Sequence, residues 1–242
     1  MTRRFFSPFS FQNSAHVLAV LTVVVSVFQG ILLQSGSLLF LFSPELVLYQ
    51  FQIWRPVTAL FVATSPLEVI FNALILYSLG GFLEARWGKR RFLQVALGIP
   101  LAAELVVVLL ALLLPSVFSG ALYPGTRPVI TSLWIVFGLL FQFSGQSLNF
   151  WGTPTSGKIF ALIGLGFVVL SGVFGGFIAV MPELVAAGLS YAYMYRPRSS
   201  RILQKLELSY YSWKLERLKA KSKLRVVKGS GKQDDDSDST VH

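Results

Sequence analysis

The chain has 242 residues, of which 54% are hydrophobic and only 13% are charged, so it is too apolar for an ordinary soluble domain. It contains no cysteine, which excludes a disulfide framework, a thiolate metal site and a cysteine nucleophile, and its two histidines, His16 and His242, stand in no polar cluster that would predict a metal site. We interpret the formal net charge of +10 as a determinant of membrane topology and not as a nucleic-acid-binding surface.

Charged residues are segregated along the chain. None occurs in residues 5–44, 105–126 or 159–182. Each of these apolar stretches is long enough to cross a hydrocarbon core of about 30 Å at roughly 1.5 Å per helical residue. The sequence therefore predicts a polytopic protein embedded in the lipid bilayer.

Six apolar segments are predicted to span the membrane. A short cytoplasmic N-terminus, residues 1–15, precedes them; its paired arginines resemble a twin-arginine export signal, but no cleavage site follows, so we expect an uncleaved anchor. The aromatic-rich segment 34–53 is expected to lie at the membrane interface, and Pro100 predicts a kink in the third span. The predicted spans are residues 16–33, 67–83, 92–114, 129–143, 159–180 and 181–195.

The cations favour one orientation of these spans. With the N-terminus in the cytoplasm, the basic turn at residues 86–91, Lys158 and the C-terminal tail all lie inside, whereas only Arg55 and Arg127 lie outside. This excess of cations on one side is the pattern of the positive-inside rule. We therefore predict that both termini are cytoplasmic.

The chain changes character after the last span. Residues 196–228 are basic, and their apolar residues recur mostly every three or four positions, which predicts an amphipathic helix. Two interpretations are open: a solvated cytoplasmic helix, or a helix lying on anionic lipid headgroups with Trp213 at the interface. Residues 229–242 are rich in aspartate and are predicted to be disordered.

A stripe of residues at a constant spacing of four runs through the second span. Side chains four residues apart share a helix face, and polar groups at this depth should face protein or trapped water rather than lipid. The spacing thus predicts an interior face for these positions. They are Glu68, Asn72, Leu76, Gly80, Glu84 and Gly88.

The stripe and the residues before it resemble the rhomboid superfamily, which comprises intramembrane serine proteases and their inactive relatives. The resemblance covers about residues 14–195, and it implies an all-α membrane protein with a six-transmembrane-helix rhomboid-like bundle, here followed by the cytoplasmic basic amphipathic tail. It also implies that a Trp-Arg pair pins the loop between spans one and two, and an aromatic anchor at the membrane interface is an equally good interpretation of the tryptophan. The matching residues are Trp54, Arg55, Asn72, Gly80, Glu84 and Gly88.

The catalytic residues that the resemblance implies are missing. Aligning Gly138 with the family's later glycine places Ile130 at the serine position. Counting back seven residues from Gly188, a glycine expected to pack against the fourth span, places Met181 at the histidine position. Glu68 replaces the histidine of the oxyanion side, where a carboxylate would repel the developing charge. Since serine is a poor nucleophile without a base, we expect an inactive pseudoprotease with no catalytic residue.

Ser132 is the fallback nucleophile of an alternative hypothesis, in which the chain is an intramembrane serine protease with a displaced serine. Neither Ser132 nor its neighbour Thr131 is flanked by glycines. We expect both hydroxyl groups to bond backbone carbonyls of their own helix.

The ionisable side chains within the spans form a candidate polar cluster with Asn72. In one interpretation, Glu68 and Glu183 form a carboxylate dyad that handles ions or protons, or even catalyses a reaction. In the other, both lie in the outer first turns of their helices, where the helix dipole favours a carboxylate. We expect Glu104 to be a protonated or hydrogen-bonded structural group, with partner binding as its alternative.

The remaining motif residues are given structural roles. Gly80 is interpreted as a close-packing site, Glu84 with Arg86 as a capping and interface pair, and Asn72 as an interhelical hydrogen-bonding residue. The glycine-rich fifth span predicts close approach of a neighbouring helix.

The leading functional hypothesis is a protein that binds transmembrane segments of single-pass client proteins, for their trafficking, quality control or turnover, without cleaving them. Its second alternative is a small ion- or proton-handling membrane protein. No cofactor, metal or nucleic-acid partner is predicted. We expect a bacterial inner membrane, with an organelle membrane as the alternative.

Overall fold

The computed structural model describes residues 13–34, 39–145, 148–150 and 153–195, so the predicted tail segments 196–228 and 229–242 lie outside the described residues. Within the described ranges, six helices are long and apolar enough to cross a membrane, which confirms the predicted all-α, six-span architecture. We call them spans 1 to 6. In chain order they are Ser14–Leu32, Pro66–Trp87, Lys89–Leu113, Thr126–Ser144, Gly157–Gly175 and Phe177–Tyr195.

Neighbouring spans run antiparallel, as contacts between their ends show. Glu84, near the end of span 2, accepts hydrogen bonds of 2.9 and 2.8 Å from the backbone N–H groups of Ser14 and Ala15, which begin span 1. We call the end of the bundle where spans 2, 4 and 6 begin the distal end. The opposite end, where the cations of residues 86–91 lie, is called the basic end.

The contact of Glu84 with span 1 corrects one prediction. The carboxylate caps the first helix, since it satisfies two of the N–H groups that a helix start leaves unpaired. No ion pair between Glu84 and Arg86 occurs among the described residues. The predicted capping role of Glu84 is therefore seen, but it is directed at span 1 and involves no ion pair with Arg86.

Two spans contain a π-helical turn. Leu76–Gly80 lies within span 2, and Gln94–Gly98 lies within span 3, directly before the helix Ile99–Leu113. Pro100 is the second residue of that helix. Because proline has no N–H to donate to the residue four positions earlier, the backbone preceding it has to depart from α geometry. The irregularity predicted at Pro100 takes the form of a π turn.

The loops at the distal end pack on one another. The short helices Pro44–Tyr49 and Arg55–Ala59 lie between spans 1 and 2, and Pro115–Phe118 lies between spans 3 and 4. Phe42 of the first loop and Tyr123 of the second pair as an antiparallel bridge, with N···O distances of 3.0 and 2.8 Å. Both side chains are buried, and burial raises the pKa of the Tyr123 phenol to about 12.

The first loop also exposes large apolar side chains. Phe51 is 78% exposed, and Tyr49, Ile53 and Trp54 are at least half exposed. Aromatic side chains presented in this way at the end of a span suit a membrane interface, as the composition of the segment predicts.

The connections around span 5 differ from the prediction. Leu148–Phe150 pairs with Thr153–Thr155 as an antiparallel hairpin within the segment predicted to be a loop. Span 5 ends at Gly175, not at residue 180, because Gly176 has a φ of 88°, which few other residues adopt. The 3₁₀ turn Phe177–Val180 then begins span 6. The predicted boundary between spans 5 and 6 was therefore wrong by five residues.

Span 4 is the central helix, and its backbone lies in direct contact with the backbone of span 5. A Cβ atom on Gly138 would lie 2.7 Å from both the Ala161 nitrogen and the Gly157 oxygen. Further along, the Trp134 ring lies directly against Gly164, and its indole N–H donates to the Phe160 carbonyl at 2.8 Å. The glycine-rich fifth span thus permits the close helix approach that its composition predicts.

Candidate functional site

An arginine at the start of span 4 lies between two carboxyl groups. The Arg127 Nε atom is 2.9 Å from Oε1 of Glu68, and its Nη1 atom is 3.9 Å from Oε1 of Glu183. The Arg127 side chain is 41% exposed, whereas those of Glu68 and Glu183 are 15% and 8% exposed. Spans 2, 4 and 6 are therefore joined at their distal ends by one charged cluster, which we call the Glu-Arg-Glu cluster.

Local sequence fixes Glu68 in the first turn of span 2. Ser65 precedes the helix, and its hydroxyl accepts a 3.2 Å hydrogen bond from the Glu68 N–H group. The Glu68 Oε2 atom in turn accepts 3.0 Å bonds from the backbone and hydroxyl groups of Thr64. This reciprocal arrangement resembles a capping box, and the helix dipole favours a carboxylate at this position. Oε1 remains available to Arg127.

The cluster changes the interpretation of the two carboxyl groups. Glu68 and Glu183 both lie in the first turns of their helices, as one of the two interpretations expects. They do converge, but Arg127 lies between them, so they are not a carboxylate dyad in isolation. From the sequence, Arg127 served only to assign the orientation of the spans in the membrane. Its position as the first charge after 22 uncharged residues, at the start of a span, was the signal that could have singled it out.

A cleft of about 590 Å³ extends from the cluster between spans 2, 4, 5 and 6. Its walls are mostly apolar, and its two phenylalanines, Phe71 of span 2 and Phe167 of span 5, are more than half exposed. Arg127 and Glu183 line its distal part. Because spans 2 and 5 carry exposed apolar side chains beside it, the cleft opens toward the region that lipid would occupy. We call it the lateral cleft.

The lateral cleft contains a buried amide. Asn72 lines it and is only 6% exposed, yet its Nδ2 atom has no hydrogen-bond partner among the described residues. A buried donor without a partner is costly, so this group is suited to bonding an acceptor that enters the cleft. Ile130 and Thr131, the residues at and beside the degenerate serine position, line the same cleft. Span 4 therefore presents an isoleucine where the resemblance expects the nucleophile.

Ser132, the fallback nucleophile, is fully buried and points into its own helix. Its hydroxyl donates a 2.8 Å hydrogen bond to the Pro128 carbonyl, as expected. His16, the one histidine among the described residues, stacks on Tyr77 with ring centroids 4.3 Å apart. Tyr77 lies nine residues along span 2 from Glu68, roughly 14 Å toward the basic end.

Glu104 and Met181 do not join the lateral cleft lining. Glu104 of span 3 is fully buried, and neither of its oxygens has a hydrogen-bond partner among the described residues. Glu104 lies beside Gly125, at the start of span 4. Among the described residues it forms no ion pair with Arg127 of the Glu-Arg-Glu cluster. Met181 packs with the apolar residues under the distal loops, around Phe42 and Val107. The predicted grouping of Glu104 with Glu68, Asn72 and Glu183 is not seen.

The Trp-Arg pair is placed in the first distal loop. Arg55 is buried, its Nη1 atom donates a 2.7 Å bond to the Leu41 carbonyl, and its Nε atom donates to Gln52. Burial lowers the pKa of Arg55 from its ordinary value. Trp54 is half exposed beside it. Arg55 thus ties the backbone of Leu41 to the side chain of Gln52 within the loop, and the exposed Trp54 can contact the membrane interface.

The three motif glycines have different surroundings. A Cβ atom on Gly80 would lie 3.2 Å from the Ala15 side chain and 3.3 Å from Phe92, which is the close contact expected of this position. Gly88 has a φ of 81° where span 2 turns into span 3. A Cβ atom on Gly188 would meet nothing within 4 Å. The expectation that Gly188 packs against span 4 was therefore wrong.

Comparison with known protein families gives a match that covers the membrane-spanning part of the chain. The model of a family described as "Eukaryotic integral membrane protein (DUF1751)" matches residues 14–207, a range that contains all six spans. No curated protein matches the chain. Because the family is eukaryotic, the predicted bacterial inner membrane was wrong.

Proposed function

The chain belongs to this family of eukaryotic integral membrane proteins, and from that premise we propose that it is a rhomboid-like pseudoprotease whose lateral cleft binds transmembrane segments of client proteins without cleaving them. A family description at this level names no activity. Support for the proposal therefore comes from the geometry of the lateral cleft and from the sequence resemblance to the rhomboid superfamily, which covers spans 1 to 6.

The observation that carries the proposal is the unpaired amide in an apolar cleft. Asn72 offers a buried N–H donor, while Phe71 and Phe167 offer exposed apolar surface on either side. A client helix of marginal hydrophobicity, with a carbonyl or hydroxyl acceptor near its outer end, would bury apolar surface there and satisfy the amide. Hydrogen bonds of this kind between membrane helices are worth about 0.6–2 kcal/mol each, enough to favour such helices over uniformly apolar ones.

The geometry around Ser132 supports binding without cleavage. Acyl transfer by serine needs a base within hydrogen-bond distance of the hydroxyl. The Ser132 hydroxyl is committed to Pro128, and the described histidine, His16, is stacked on Tyr77. The Glu-Arg-Glu cluster likewise disfavours the proton-handling alternative, since Arg127 holds both carboxyl groups in a salt-bridged arrangement.

Photocrosslinking tests the binding proposal. A benzophenone amino acid placed at Phe71 or Phe167 should form adducts that map within transmembrane segments of single-pass proteins. The same probe at Leu112, a 59% exposed residue of span 3, is the matched control and should label lipid only. Asn72→Leu should reduce the adducts at both cleft positions at equal expression. Equal labelling at Leu112, or adducts that Asn72→Leu leaves unchanged, would count against a specific cleft.

A fluorophosphonate probe tests the absence of serine protease chemistry. The purified wild-type protein and Ser132→Ala should show the same background labelling, because the hydroxyl is buried and has no base beside it among the described residues. Labelling that Ser132→Ala abolishes would establish the protease alternative. Client adducts and probe labelling are independent readouts, so either part of the proposal can fail alone.

A further inference from the structure

A second cavity, of about 550 Å³, lies between spans 4, 5 and 6 on a different side of span 4 from the residues of the lateral cleft. It is bounded by the ends of spans 4 and 6 and by the start of span 5, so it opens at the basic end. We call it the basic-end slot. Its deeper wall is apolar and includes Ile135, Leu139, Ala161, Leu165 and Leu184.

Gly188 creates much of the room in the basic-end slot. It lines the slot, and a Cβ atom on it would have no atom within 4 Å. The neighbouring Ala187 is buried against Ile135, Leu139 and Ala161, so span 6 packs on spans 4 and 5 at this level and Gly188 faces the open side of the slot. Gly188 is exposed, and the absence of a side chain there leaves the slot open; an apolar space of this size is typical of a ligand site.

The mouth of the slot is polar and cationic. Lys158, Gln142, Tyr191 and Tyr195 line it, and all four side chains are exposed. Lys158 has no ion pair among the described residues, and the slot lining contains no acidic residue. A cation at the end of an apolar channel complements an anionic group attached to an apolar chain.

The depth of the slot matches one leaflet of a bilayer. Its lining on span 6 runs from Leu184 to Tyr195, and the eleven helical rises between them correspond to roughly 16 Å. That is about half of a hydrocarbon core of about 30 Å. We propose that the basic-end slot binds an anionic glycerophospholipid, with one acyl chain beside Gly188 and the net negative charge of the headgroup at Lys158. This site is independent of client binding in the lateral cleft.

Lipid titration of the purified full-length protein, followed by native mass spectrometry, tests the headgroup contact. Phosphatidylserine should bind about fivefold more tightly than phosphatidylcholine with the same acyl chains, the effect expected of one lysine near an anionic headgroup. Lys158→Gln should bring this ratio close to one, and Lys158→Arg should preserve it. A ratio unchanged in Lys158→Gln would overturn the proposed headgroup contact.

A pair of glycine variants tests the acyl chain. Gly188→Leu places a side chain in the slot, and its Cβ atom meets nothing within 4 Å, so it should weaken binding of both lipids at least tenfold. Gly166→Leu is the matched control, because a Cβ atom there also meets nothing within 4 Å and Gly166 lines neither cavity. Equal binding by the two variants would overturn the slot as the chain site. Glycerophosphoserine, which has no acyl chains, should not compete; effective competition would show that only a headgroup is recognised.

Discussion

The contact between spans 4 and 5 gives the sharpest test of the packing. In Gly138→Ala, the new Cβ atom would lie 2.7 Å from the Ala161 nitrogen and from the Gly157 oxygen. Ordinary van der Waals contact begins at about 3.4 Å, so the helices have to separate by about 0.7 Å. Both opposing atoms belong to the backbone, and therefore no side-chain rotation can relieve the contact.

The cost of this separation can be bounded. A gap of about 0.5–1 Å forfeits a quarter to a half of the dispersion energy of each contact, and overpacking of a core typically costs about 1–3 kcal/mol. The higher helix propensity of alanine relative to glycine offsets this cost by up to about 1 kcal/mol. We expect Gly138→Ala to be destabilised by about 1–2 kcal/mol, which lowers the unfolding temperature by roughly 2–4 °C per kcal/mol.

Gly166→Ala on span 5 is the matched control. The same side chain is added, but no atom lies within 4 Å of it, so only the helix-propensity gain remains. Thermal unfolding of both variants in one detergent can be followed by tryptophan fluorescence, since Trp134 stacks on Phe160 between these spans with ring centroids 4.8 Å apart. The reasoning is refuted if Gly138→Ala unfolds at or above the temperature of Gly166→Ala.

Three further predictions concern charged and buried groups, each measured by thermal unfolding of the purified protein. Arg127→Gln should cost about 1 kcal/mol, because the arginine is 41% exposed, and adding Glu183→Gln should recover part of the loss; a lower stability of the double variant would contradict this. Glu84→Ala should cost about 1–2 kcal/mol through the lost cap of span 1, and Glu84→Gln should cost less. Because burial raises the pKa of Tyr123 from 10.0 to about 12, stability should fall as pH rises from 10 to 12, and Tyr123→Phe should remove that part of the fall.

Much of the fold could be predicted from the sequence, since membrane spans are a local property. A span needs only a sufficiently long apolar run, and charged residues within 89–91 and 157–159 mark where two of the helices begin. The structure confirms six spans. The turn between spans 5 and 6 was misplaced because no charge or proline stands at Gly176, and glycine alone does not reveal that its φ is positive.

The candidate site could be predicted only in part. Glu68 and Glu183 could be predicted as site residues, because carboxyl groups are rare in apolar helices. Arg127 was not predicted as a site residue, because a single cation next to a span is an ordinary topology signal. Its position between two carboxyl groups depends on three helix starts that meet at one end of the bundle, and no local pattern contains that information.

The sequence alone determined which segments lie in the membrane and which of their residues are polar, because transfer of a side chain into hydrocarbon has a free energy that depends on the residue itself. Only the tertiary structure decided that Gly138 meets backbone while Gly188 faces empty space. The two residues are chemically identical, and their roles differ because each depends on how close the neighbouring helix lies, a distance set by all the contacts between the spans together.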